Sequence, residues 1–151
     1  MNGVATMTEH DTHGGLREWG RGWYATEAAV ELLIRSFGGR FASAGQPWVR
    51  GRSSGGFWLD GDALAEHTGA LSGGERRVLA VVRTLASGEP LAEVASVLAG
   101  VDRDNLTLIL AAFSHASGAH EHTATRRTQD GTREFYRPGP LLPWPGDEGV
   151  A

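Results

Sequence analysis

The stretch that most restricts the fold runs from Ser72 to Pro90. Ser72 followed three residues later by Glu75 reads as a capping box, in which each side chain satisfies a backbone N–H that the first helical turn leaves open. Val78, Leu79, Val82, Leu85 and Ala86 then recur at helical spacing, with Arg76, Arg77, Arg83 and Thr84 on the other side. Gly88 ends that helix, and Pro90 stands where the next can begin.

The same grammar organises the rest of the chain. Residues 1–18 are polar, rich in Gly, Thr and His and without periodicity, so they read as a flexible tail in which His10 and His13 are solvated. Thr26 is a good N-cap for a helix that turns Val30, Leu33, Ile34 and Phe37 to one face and stops at Gly38-Gly39. "PWVRGRSSGGFWLD" reads as a small hairpin whose Trp48, Phe57 and Trp58 cover helix surface. Asp60 can cap a brief helix ending at Gly69. After Gly88, Leu91, Val94, Ala95 and Leu98 mark a short helix broken by Gly100. Asp102 or Asp104 then caps a third helix carrying Leu106, Ile109, Leu110 and Phe113 inward and ending near Gly118. "HEHTATRRTQ" and "TREFYR" flank Asp130-Gly131, a strong turn signal, and so form a second hairpin. The proline-rich residues 138–151 read as a tail that Leu141, Leu142 and Trp144 can dock. The expectation is one α+β domain, with a helix/hairpin subdomain over 19–70 packed on a core over 71–137.

At 151 residues there is room for one ordinary domain, and 40% apolar with 21% charged residues is a globular composition. The absence of cysteine removes disulfides, thiol nucleophiles and thiolate metal sites, leaving His, Asp and Glu as the only metal donors. No basic start with an apolar run occurs, nor a membrane-length apolar stretch, so a cytoplasmic protein without membrane contact is expected. "LSGGE" at Leu71–Glu75 shares its letters with the signature loop of ATP-binding-cassette ATPases. All 14 basic residues are Arg, however, and the lysine that a nucleotide phosphate loop requires is missing, so no nucleotide is expected.

The order over 71–137, helix, short helix, turn, longer helix and Asp-Gly hairpin, resembles the winged helix-turn-helix domain of bacterial transcription regulators. The resemblance rests on "LSGGERRVLAVVRTLASGEPLAEVASVLAG", "VDRDNLTLILAAFSHASG" and "TRRTQDGTREFYR". It implies a third helix in the DNA major groove and a wing along the phosphates. Carried over by position, Arg103, Asp104, Asn105 and Thr107 face bases, and Arg126, Arg127, Arg133 and Arg137 of the wing face phosphate. The resulting expectation is a non-enzymatic regulatory protein that contacts duplex DNA.

Two alternatives stand beside it. Residues 71–137 balance eight Arg against eight acids, and "LTLILAAFSHAS" is apolar on more than one side. Both suit a protein-interaction or dimerisation module, either a homodimer or a complex with a protein partner. His115, His120 and His122 lie close in sequence, with His120 and His122 on one face of an extended run, and could hold zinc. No nucleophile elbow or comparable catalytic pattern occurs, and Asp60, Asp62, Asp102 and Asp104 are accounted for as helix caps.

Overall fold

The structure, a computed structural model, describes the backbone of residues 2–147 and the side chains of residues 11–147. It is an α+β fold in which helices dominate two small antiparallel hairpins. The chain opens with helix α1 (Asn2–Gly20), so residues 2–18 are not the expected tail. Their polarity hid a tertiary anchor: Leu16 and Thr12 are fully buried. Gly15, expected in the tail, packs against the first hairpin; a Cβ there would lie 2.8 Å from the Phe57 ring. His13 is half-buried beside Gly39 rather than solvated, and the side chain of His10 lies outside the described residues.

Helix α2 (Tyr24–Arg35) starts two residues before the expected Thr26 cap. Trp23 occupies the cap position without a side-chain bond, and Glu27 reaches back instead, its Oε2 accepting the Gly22 N–H at 2.8 Å. A 3-10 segment (Phe37–Ala42) follows through the left-handed Gly38 and Gly39. Strands β1 (Val49–Gly51) and β2 (Phe57–Leu59) then pair, Val49 opposite Leu59, as the expected hairpin. Trp48 is buried at its base, with the indole N–H donating to the Phe41 carbonyl at 2.8 Å. Asp60 caps α3 (Gly61–Glu66).

Helix α4 (Gly73–Ser87) carries the complete Ser72/Glu75 capping box and ends at left-handed Gly88. Helix α5 (Val94–Ala99) is shorter than its apolar pattern, because Glu93 takes a left-handed backbone (φ +52°) that no continuous helix accommodates. Val94, expected inward, is consequently exposed. Asp102, of the two candidates, caps α6 (Arg103–Ala116). After left-handed Gly118 and a 3-10 turn (Ala119–Glu121), β3 (Ala124–Arg127) and β4 (Arg133–Tyr136) pair with Arg127 opposite Arg133.

Helix α2 is the hub. Its Ala28, Ala29, Val30, Leu32 and Leu33 are fully buried against both α4, through Val78, Leu79, Val81 and Val82, and α6, through Ile109, Ala111 and Ala112. One apolar cluster runs from Leu16 to Trp144, with α2 packed against both α4 and α6. The C-terminal segment docks on this body. Trp144 is buried, the Leu142 N–H donates to Ser114 Oγ at 3.0 Å, and the Arg35 guanidinium lies 5.1 Å from the Trp144 ring. Leu141 stays exposed. No helix among the described residues is long and apolar enough to cross a membrane.

Candidate metal centre

His120 lies in the 3-10 turn after α6 rather than in the expected extended run with His122, and the end of α6 and that turn bring His115 and His120 together. Their rings stack 4.2 Å apart at 20°. His122, the third residue of the expected set, is exposed and lies outside this cluster, because the chain at His122 is already leaving the body for β3. The third donor is Glu27, from the first turn of α2. Its Oε1 lies 2.9 Å from His115 Nε2, and one donor atom each from Glu27, His115 and His120 falls within 4.8 Å of the others.

Each member is held from outside. The Glu27 carboxylate is oriented by the Gly22 N–H on its other oxygen. The Tyr24 ring meets His120 edge-on at 5.0 Å and 76°, and Trp144 lies 6.2 Å from His115. Gly118 permits the turn that folds His120 back: its φ is +73°, and a Cβ there would meet the Tyr24 ring at 2.8 Å. Burial pushes the Glu27 carboxyl up, but the hydrogen bonds from His115 and Gly22 and the nearby imidazoles outweigh it and hold the group below the ordinary range. Burial, followed by the neighbouring His115, pushes the His120 imidazole down, favouring the neutral ring that coordinates metals. His120 Nδ1 is buried with no hydrogen-bond partner.

Two imidazoles and one carboxylate are a known catalytic zinc ligand set and leave one tetrahedral position open. Lone pairs lie in the ring planes, so the nearly parallel His115 and His120 must splay to reach one ion at ~2.0–2.1 Å. The Glu27–His115 hydrogen bond marks where a metal would displace a proton.

Two clefts meet the cluster. One of about 330 Å³ is lined by His115, His120, Pro140, Leu142, Trp144 and Asp147 among others. The other, of about 200 Å³, lies on the Glu27 side, lined by Arg17, Arg21, Val30 and Glu31 together with His115. In its wall Glu31 accepts from Arg17 at 2.7 Å and from Arg35 at 2.8 Å, and Arg35 also binds Asp147 at 3.2 Å.

The residues expected to meet DNA are distributed differently. Asn105 is buried, its amide donating to Asp102 Oδ2 at 3.0 Å and its backbone N–H to Oδ1 at 2.8 Å, so it belongs to the cap of α6. Thr107 is exposed, but its hydroxyl donates to the Arg103 carbonyl one turn back. Arg103 and Asp104 are exposed at the first turn. On the hairpin, Arg126 pairs with Glu134 at 3.0 Å and lies 5.1 Å from the Tyr136 ring, and Arg137 pairs with Glu121 at 3.2 Å. Arg127 and Arg133 are exposed partners in the register, without an ion pair among the described residues. The turn between them is fixed by Asp130, whose carboxyl is held at about 2 by the Thr128 and Thr132 hydroxyls and the Thr132 N–H.

The chain matches no protein-family model, and comparison with curated proteins and with solved structures found no similar protein.

Proposed function

We propose that the protein binds one divalent transition-metal ion through Glu27, His115 and His120, with zinc the best match to two imidazoles and a carboxylate. The observation that carries this reading is the meeting of three donors from separate segments within 4.8 Å. Glu27 lies 88 residues from His115, so helix packing rather than sequence proximity brings them together. The borderline-soft, nitrogen-rich donor set disfavours magnesium and calcium, which take oxygen ligands.

The test is titration of metal-free protein with Co²⁺, read by its visible absorption, and with Zn²⁺ by calorimetry. One ion per chain is expected, with binding lost in His115→Ala and His120→Ala, weakened at least tenfold in Glu27→Gln, and unchanged in His122→Ala. No uptake, or an equal loss in His122→Ala, overturns the assignment.

A second reading is favoured by a different observation, the wholly exposed cationic end of the β3–β4 hairpin. In it the hairpin contacts the phosphates of duplex DNA through Arg127 and Arg133, and Asn105 of α6 takes no part, since it is engaged by Asp102. A salt titration of binding to random duplex should lose about two from its log–log slope in Arg127→Ala/Arg133→Ala, one for each phosphate released. Absence of binding at low salt refutes this reading.

A further inference from the structure

We infer that the metal site receives a small carboxylate with a flat apolar body, seated in the cleft between His120 and Trp144. This rests on the metal reading above and adds the identity of the fourth ligand. Closed structural zinc sites have four protein donors, whereas sites with three keep a position for an exogenous one. No fourth His, Asp or Glu joins Glu27, His115 and His120 among the described residues. Asp147 lines the same cleft, but its carboxylate is engaged by Arg35 at 3.2 Å.

The position of the open site follows from which side each donor is approached. Glu27 is reached from the smaller cleft, where Arg17 and Arg21 are themselves paired with Glu31 and Glu18. Both imidazoles form a wall of the larger cleft, so a ligand there reaches an ion held by the two rings. The remaining lining gives the ligand its character. Pro140, Leu142, Pro143 and Trp144 are apolar, and three of the four are rigid rings. A volume of about 330 Å³ stands at the low end of small-molecule sites, ~300–1,000 Å³.

Charge selects the head group. A divalent ion bound by two neutral imidazoles and one carboxylate keeps one net positive charge, which an anionic oxygen neutralises in this partly dry setting. A carboxylate supplies that oxygen, and a planar apolar body suits a cleft walled by Leu142, Trp144 and the two prolines. An uncharged ligand misses the first requirement and a long flexible one misses the second.

The experiment uses the full chain loaded with Co²⁺, with benzoate and acetate as probes that share a head group and differ in the apolar body. Benzoate should change the Co²⁺ absorption saturably and bind roughly ten- to a hundredfold more tightly than acetate, the range for burying one ring. In Leu142→Gln, at a half-exposed position, Co²⁺ affinity should hold while the preference for benzoate falls severalfold. A chain that takes up no Co²⁺ overturns the metal reading and this inference together. Co²⁺ uptake with an absorption indifferent to benzoate, equal binding of the two acids, or an undiminished preference in Leu142→Gln overturns the cleft assignment alone.

Discussion

Gly118→Ala should destabilise the protein more than the same change at Gly88, and the excess should come from Tyr24. Both glycines are left-handed, at φ +73° and +72°, so an added Cβ costs each about 1 kcal/mol of backbone strain. They differ in what the Cβ meets. Nothing lies within 4 Å at Gly88, whereas at Gly118 two atoms of the Tyr24 ring would be 2.8 Å away. Tyr24 is exposed enough to move, so relief of that clash costs at the low end of overpacking, about 1 kcal/mol more. Urea unfolding should therefore give about 2 kcal/mol for Gly118→Ala and about 1 kcal/mol for Gly88→Ala. Introduced into Tyr24→Ala, Gly118→Ala should fall back to about 1 kcal/mol, the steric part having vanished. Because Tyr24 abuts His120 edge-on, Gly118→Ala should also weaken Co²⁺ binding while Gly88→Ala leaves it unchanged. Equal costs at the two glycines, or no coupling to Tyr24, would refute the reasoning.

Acid sensitivity has a named contributor in Glu31. Burial pushes its carboxyl up, but hydrogen bonds from Arg17 and Arg35 outweigh that and leave it below the ordinary 4.5. A carboxyl lowered by folding stabilises above its unfolded pKa and loses that contribution as pH falls through its folded value. Glu31→Gln should then cost ~1.5–3 kcal/mol at pH 7 and flatten the loss of stability below about pH 4.5, as urea midpoints measured across pH would register. Trp48→Phe should cost about 1–3 kcal/mol by leaving the buried Phe41 carbonyl without its indole donor, with the urea m-value unchanged. An unaltered midpoint would show that water or backbone adjustment satisfies that carbonyl.

What could be read in the sequence is what local chemistry dictates. The Ser72/Glu75 box, the Asp60 cap and the Asp130-Gly131 turn each depend on residues within a few positions of one another, and each forms as its letters predict. Helix α1 depends on burial of Leu16 and on the close approach at Gly15, neither of which leaves a periodic trace among so many polar residues. Asn105 faces bases only by its place in the winged-helix pattern, while its own neighbour Asp102 offers both carboxylate oxygens to it. Glu27 left only the ordinary signal of an acid in the first turn of a helix, favourable to the dipole whether or not it has a partner.

The three-dimensional reason for the site lies in how α2 divides its sides. Ala28, Ala29, Val30, Leu32 and Leu33 must face α4 and α6 to close the core, and this leaves Glu27 and Glu31, one turn apart, on the border where α2 meets the end of α6. Glu31 is satisfied there by Arg17 and Arg35. Glu27 shares a cleft with Arg17 and Arg21 but pairs with no arginine among the described residues; it bonds His115, and through His115 meets the stacked His120. Packing that holds one acid with guanidinium at one turn holds the next with imidazoles, whose neutral form is suited to ligating a metal. The same border lies at the root of the hairpin, because Arg137 of the strand end pairs with Glu121, the neighbour of His120. The groups suited to an ion and the arm suited to phosphate thus share one short turn, fixed in place by Gly118.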